Sequence, residues 1–73
     1  MFTKEGFGRR LRSLRKQKGE SQSVLSDLLG VTVTQISDLE NGKTSTTLER
    51  LSLICEHYQV SADYLLGWKD EEP

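Results

Sequence analysis

The first quarter of the chain carries apolar side chains at helical spacing. Phe7, Leu11 and Leu14 lie four and three residues apart, so they fall on one face of an amphipathic helix. We predict this helix over about Lys4–Lys18. Gly19 follows at the C′ position, where a residue without a Cβ readily adopts the left-handed conformation that ends many helices.

A second, shorter helix is predicted over Gln22–Leu29. Ser21 offers an N-cap hydroxyl at its start, and Gly30 ends it. Four apolar residues are expected on its inner face: Val24, Leu25, Leu28 and Leu29.

The third helix has the clearest start signal. Thr32 is followed three residues later by Gln35, which matches a capping box, where a hydroxyl and a side-chain amide each satisfy a free backbone donor. We therefore predict a helix over Val33–Glu40, with Ile36 and Leu39 turned inward. Asn41-Gly42 ends this helix, because these two residue types tolerate left-handed backbone best.

Two more helices complete the pattern after a polar loop. The fourth is predicted over Leu48–Tyr58, and Ser61 caps a short fifth helix over Ala62–Leu66, which Gly67 ends. The expected inner stripe of the fourth helix is Leu48, Leu51, Ile54, Cys55 and Tyr58. The pattern predicts an all-α fold, a compact bundle of five short helices. We expect residues 1–67 to form one domain and residues 68–73 an acidic, flexible tail.

Composition places further limits on the protein. A chain of 73 residues holds one hydrophobic core, and its single cysteine, Cys55, cannot form an internal disulfide. No apolar run reaches the length of a membrane span or a signal peptide, so we expect a cytoplasmic protein.

His57 and Cys55 diverge by about 200° on a helix and cannot share a metal ion. Cys55 is expected in the core and His57 on the surface. Neither a metal site, a cofactor nor a set of catalytic residues is expected, and the chain does not look like an enzyme.

The net charge of −1 conceals an uneven distribution. Residues 1–19 contain seven basic residues and one acidic residue, whereas residues 20–73 contain three basic and ten acidic residues. A basic first helix can attract nucleic acid over a distance, or it can simply present a solvated face, and the sequence leaves both interpretations open.

The segment 21–44 has the form of a helix-turn-helix unit, with the two helices within residues 21–41. Two helices of about eight residues are joined by a tight turn, and each has an apolar inner face. The DNA major groove, about 12 Å wide, admits one helix, so a second helix with an open outer face can read base edges.

The chain also resembles a known family, the phage repressor and Cro-like (Xre-type) helix-turn-helix domains, over about Phe7–Gly67. The resemblance rests on the motifs LRSLR at 11–15, SQ at 21–22, LGV at 29–31, IS at 36–37, LENGK at 39–43, VS at 60–61 and LLG at 65–67. Each motif is weak alone, but together and at these spacings they are specific. The resemblance implies a lambda-repressor-like DNA-binding domain.

The resemblance also implies roles for individual residues. The residues expected to contact base edges are Thr32, Val33, Thr34, Gln35 and Asp38. The residues expected to bind backbone phosphates are Gln22, Asn41, Lys43 and Thr44. Arg15 and Glu40 match a pair that forms a largely buried salt bridge between the first and third helices of such domains.

The sequence departs from the family at two instructive places. Ser26 stands where alanine is usual, and the reading helix contains neither arginine nor lysine, so the common arginine contact to guanine is absent. The remaining expectations are Gln35 to adenine, Thr34 to either base type and Val33 against a thymine methyl. Asp38 is expected to accept from cytosine or to repel phosphate at wrong sites.

Two functions remain open from sequence. The first is a sequence-specific transcriptional regulator, a repressor, that binds a palindromic operator in double-stranded DNA as a homodimer. The second is a protein-interaction module, such as an antitoxin or regulator subunit, that uses the acidic third helix. A C-terminal apolar group could form the dimer surface or could close the bundle's own core: Tyr64, Leu65, Leu66 and Trp68.

Overall fold

The computed structural model describes residues 1–69, and this part of the chain contains five helices. They are α1 (Lys4–Gln17), α2 (Gln22–Leu29), α3 (Val33–Glu40), α4 (Leu48–Tyr58) and α5 (Ala62–Leu66). The predicted all-α fold is confirmed. Residues 70–73 of the predicted tail lie outside the described residues. Within residues 1–69, no helix is both long enough and apolar enough to cross a membrane.

Side-chain caps explain where most of these helices begin. Thr3, Thr32, Thr47 and Ser61 each accept a hydrogen bond from the backbone N–H three residues later. Ser21 is an exception to our prediction, because its hydroxyl makes no capping hydrogen bond. The backbone N–H of Val24, three residues later, donates instead to the Ser21 backbone carbonyl at 3.2 Å.

All five helices share one core. Each contributes one side chain that is fully excluded from solvent: Leu11, Leu25, Ile36, Ile54 and Leu65. Burial of such a side chain stabilises the fold by roughly 1.5–3 kcal/mol. Around these five residues pack the further buried residues Phe7, Leu14, Leu29, Leu39, Tyr58, Val60 and Tyr64.

Two residues that were predicted on inner faces are exposed. Leu48 is 80% exposed, because it is the first residue of α4 and its Cα–Cβ bond is tilted toward the free N-terminal end of the helix. Val24 is 36% exposed, because it lies at the edge of an apolar arc whose buried centre is Leu25 and Leu29.

The C-terminal apolar group divides between core and surface. Tyr64 and Leu65 are buried and Leu66 packs against the core, so these residues close the bundle itself. Trp68 is 75% exposed. Cys55 packs half-buried against the core, and burial raises the pKa of its thiol.

Candidate nucleic-acid interface

Helix α3 is held on its inner side and open on its outer side. It packs against α1 and α2 and buries Ile36, Leu39 and Glu40 between them. Its outer face presents Val33, which is 43% exposed, and Thr34, which is also exposed. Asp38, one turn beyond Thr34, retains 38% exposure of its side chain. The five residues expected to read bases therefore lie on the solvent side of α3 or at its start.

A complete capping box fixes the first turn of this helix. The Gln35 backbone N–H donates to Thr32 Oγ1 at 3.1 Å, and the Thr32 backbone N–H donates to Gln35 Oε1 at 2.9 Å. Both members are exposed. The expected capping box is present, and the side chain of Gln35 is part of the helix start.

The last turn of α3 is anchored to α1 by a buried ion pair. Arg15 Nε donates to Glu40 Oε2 at 2.7 Å, and Arg15 Nη2 donates to Glu40 Oε1 at 3.0 Å. Both residues are buried, and the hydrogen bond to Glu40 is the main reason that the pKa of Arg15 is raised. Two parallel hydrogen bonds restrict both distance and angle, so they fix how α3 sits on α1.

Gln22 joins this anchor from the start of α2. Its Nε2 donates to Glu40 Oε1 at 3.1 Å, and the side chain is only partly buried. An amide nitrogen carries two hydrogens, so the second donor of Nε2 is not used by this bond. The contact ties α2 to the end of α3 and keeps the Gln22 amide beside that end.

The residues after α3 form an exposed polar edge. Asn41, Lys43 and Thr44 are all exposed, and Asn41 Nδ2 donates to Ser37 Oγ at 3.4 Å. Lys43 Nζ lies 4.0 Å from Asp38 Oδ1, so this cation lies beside the one acidic side chain on the outer face of α3. The edge continues the outer surface of α3.

Comparison with known proteins identifies this arrangement. The family model described as Helix-turn-helix matches residues 11–65, which includes the whole of α2 and α3. The chain belongs to the helix-turn-helix family. The resemblance inferred from the motifs is thereby confirmed.

Relatives and solved structures support the family assignment. A prophage-derived HTH-type transcriptional regulator of Bacillus subtilis, YonR, is 38% identical over 60 residues, covering 82% of this chain and 56% of YonR. Antitoxin PezA of Streptococcus pneumoniae is 30% identical over 61 residues, covering 84% of this chain and 39% of PezA. The chain thus spans only part of the length of these curated relatives, little more than half of YonR and less than half of PezA. The structure is similar to the P22 c2 repressor protein crystallised with synthetic operator 9T, with TM-score 0.78, 33% identity, and coverage of 86% of this chain and 96% of that chain.

Ser26 strengthens the turn of this helix-turn-helix domain. Its Oγ donates to the Val31 carbonyl at 2.6 Å, while the Val31 N–H donates to the Ser26 carbonyl at 3.1 Å. Both bonds span the turn at Gly30. The serine that stands where the family usually has alanine therefore adds a bond across the turn.

Sequence reasoning missed Arg50 as a member of this surface. A groove of about 230 Å³ separates α3 from the loop before α4, and Arg50 lines it together with Gln35, Asp38 and Thr44. Nothing in the local sequence marks Arg50, because it lies 12 positions beyond Asp38 and only packing of α4 brings the two to one groove.

A second group that the sequence did not reveal holds the start of α2. Glu20 accepts from the Tyr58 hydroxyl at 2.7 Å, and its other oxygen lies 2.8 Å from His57 Nε2. Burial raises the pKa of Glu20, but the hydrogen bonds from Tyr58 and His57 outweigh burial and leave that pKa below its usual value. His57, which was predicted on the surface, is half-buried, with its ring against Glu20. Among residues 1–69, no group of three potential ligands could hold a metal ion.

Proposed function

We propose that this chain is the DNA-binding part of a cytoplasmic transcriptional regulator, that it binds double-stranded DNA sequence-specifically, and that it acts as a repressor rather than an enzyme. Its relatives support the proposal, because YonR is named a transcriptional regulator and the P22 c2 repressor was crystallised with an operator. The observation that supports it most strongly is that the outer face of α3 is exposed, while the Arg15–Glu40 ion pair anchors the inner side of this helix to α1.

The dimensions of α3 suit the major groove. An α-helix with its side chains is about 10–12 Å in diameter, so a groove about 12 Å wide accepts one helix. Eight residues at 1.5 Å per residue make α3 about 12 Å long. The outer face then meets the base edges with Val33 against a thymine methyl, Thr34 in a hydrogen bond and Asp38 accepting from cytosine. Thr32 lies at the helix entrance, where it orients the first turn.

The residues around α3 suit the phosphate backbone. Gln22 has an unused amide hydrogen, and Asn41, Lys43 and Thr44 are exposed beside the helix end. Arg50 adds a second cation near α3, in the groove that Thr44 also lines. Such contacts fix the position of a protein on the duplex and leave sequence selection to the reading helix.

We further propose that two copies act together on a palindromic operator. One reading helix covers only about four or five base pairs, which is too few for specificity in a genome. A two-fold dimer places a second reading helix one helical turn away, about 34 Å, and so doubles the recognised sequence.

The rival function, a protein-interaction module, gains support from the similarity to antitoxin PezA. Its basis in sequence was the acidic third helix, with Asp38 and Glu40. Glu40, however, is buried against Arg15, so its charge does not reach the outer face. Asp38 is the one remaining acid there among the described residues of α3, and Lys43 lies beside it. This distribution favours DNA.

The salt dependence of binding separates the two functions. Duplex DNA is titrated with protein between about 50 and 200 mM salt. We expect affinity to fall steeply, and Lys43→Ala to reduce the slope of log K against log salt by about one per protein copy. Lys69→Ala, which changes an exposed lysine beyond α5, is the matched control and should leave the slope unchanged. A flat response, or no binding below about 100 µM at low salt, contradicts DNA binding and leaves the interaction module as the remaining function.

A further inference from the structure

The amide oxygen of Gln35 is fully occupied within the protein. Oε1 accepts from the Thr32 backbone N–H at 2.9 Å and from the Thr32 hydroxyl at 3.3 Å. A carbonyl-type oxygen has two lone pairs, so these donors use both. The orientation of the amide is also fixed, because a backbone N–H can face the oxygen of an amide but not its NH₂ group.

The amide nitrogen of the same side chain is available. Gln35 is exposed, and it borders the groove that Asp38 and Arg50 also line. The hydrogen bonds that Gln35 makes to described residues involve its backbone N–H and its Oε1, and none of them involves Nε2. Gln35 therefore presents donors to the outside and keeps its acceptor for the capping box.

This asymmetry decides which base the side chain can match. A glutamine pairs with adenine through one donor and one acceptor, N6 giving a hydrogen bond to the amide oxygen and N7 receiving one from the amide nitrogen. Guanine presents two acceptors, N7 and O6, at the same edge. We propose that Gln35 selects guanine, acting as a donor only, and not the adenine expected from sequence. The inference rests on the proposed function.

The proposal gives α3 a means of reading guanine without arginine or lysine. The helix contains neither residue type, so the usual bidentate contact to guanine is absent. A side chain that is already held at both its backbone and its amide oxygen is also ordered before DNA arrives. It loses little rotational freedom on binding, which favours a specific contact.

The substitution Gln35→Glu separates the role of this side chain in the capping box from its proposed role in base recognition. Glutamate at this position supports a capping box through a carboxylate oxygen, so the fold should be kept, but it has no NH₂ group to donate. Base preference is measured by competition between duplexes that differ at one position per half-site. We expect wild type to prefer guanine at that position by at least about fivefold, and Gln35→Glu to lose this preference.

Two controls make the result specific. Thr44→Glu adds the same charge to the same surface, so it should weaken binding to all duplexes alike and leave the guanine preference intact. Replacing the guanine by 7-deazaguanine removes the N7 acceptor without changing the protein. We expect it to weaken wild-type binding by at least about fivefold and to leave binding of Gln35→Glu unchanged.

The outcomes distinguish this inference from the function on which it rests. If wild type binds selectively but Gln35→Glu keeps the same preference, or if the position that Gln35→Glu alters is an adenine, donor-only reading is wrong while DNA binding stands. If wild type binds no duplex at low salt, the proposed function itself fails, and the inference fails with it.

Discussion

At the scale of single residues, the carboxylate of Glu40 connects three helices. It accepts two hydrogen bonds from Arg15 and one from Gln22, so it joins side chains from α1 and α2 to the last turn of α3. Arg15 also donates from Nη1 to the Glu20 carbonyl at 2.7 Å, just before α2. The position of the outer face of α3 therefore depends on a buried polar group as well as on apolar packing.

We predict that Glu40→Ala destabilises the fold by about 3–5 kcal/mol, because it leaves the Arg15 guanidinium buried without its partner. The free energy of unfolding, from a denaturant titration, measures this loss. Glu49→Ala is the control, since Glu49 is exposed in the first turn of α4 and its loss should change stability by about 0.5 kcal/mol or less. An unfolding midpoint of Glu40→Ala equal to that of wild type would show that the pair is not an anchor.

At the scale of helices, the crossing of α1 and α3 depends on one glycine. A Cβ on Gly8 would overlap the backbone carbonyl oxygens of Leu39 and Glu40. Neither oxygen belongs to a movable side chain, so the two helix backbones would have to separate. Gly8 thus sets how closely α3 lies on α1, next to the ion pair that fixes its angle.

We predict that Gly8→Ala destabilises the protein by about 1–3 kcal/mol through this overlap. The sign is informative, because helix propensity alone predicts that alanine stabilises a helix interior by about 0.5–1 kcal/mol. Thermal unfolding measures the change. Gly19→Ala is a useful comparison, since its Cβ would meet open space and only its φ of +67° opposes the substitution. A higher midpoint for Gly8→Ala would mean that the helices can separate freely.

The sequence predicted the helix bounds closely because the signals for them are local. A hydroxyl that caps an N–H three residues later, or a glycine with positive φ after the last turn, acts within a few residues. Thr32 with Gln35 and the glycine at 67 are such cases. The same local reasoning failed at Ser21, where a backbone carbonyl takes the place of the hydroxyl.

The rest of the site could not be predicted because it depends on packing between distant segments. Glu20 meets His57 and Tyr58 across 37 and 38 positions, and no periodic pattern links them. The chemistry offered by Gln35 depends on which way its amide faces, which only the contacts of Thr32 reveal. The motifs of the family indicated Arg15 and Glu40, whereas Arg50 belongs to no such motif.

At the scale of the whole molecule, charge and size both bear on DNA binding. Arg15 is neutralised by Glu40, and Lys18 Nζ donates to the His57 carbonyl at 3.1 Å. Arg9, Arg12 and Lys16 remain exposed on α1, where they add positive potential over a distance. The molecule extends 28 × 23 × 20 Å, so two copies fit side by side on half-sites about 34 Å apart.

The most direct test of the account is selection of bound duplexes from a random pool, carried out with wild type, Thr34→Ala and Gln22→Ala. We predict that wild type enriches an inverted repeat. Thr34→Ala should change the preferred base at one position in each half, because it alters the outer face of α3. Gln22→Ala should bind the same sequence more weakly, because it removes the phosphate contact proposed for this side chain. Failure of wild type to enrich any sequence, or an unchanged sequence preference in Thr34→Ala, would contradict the claim that α3 reads the major groove.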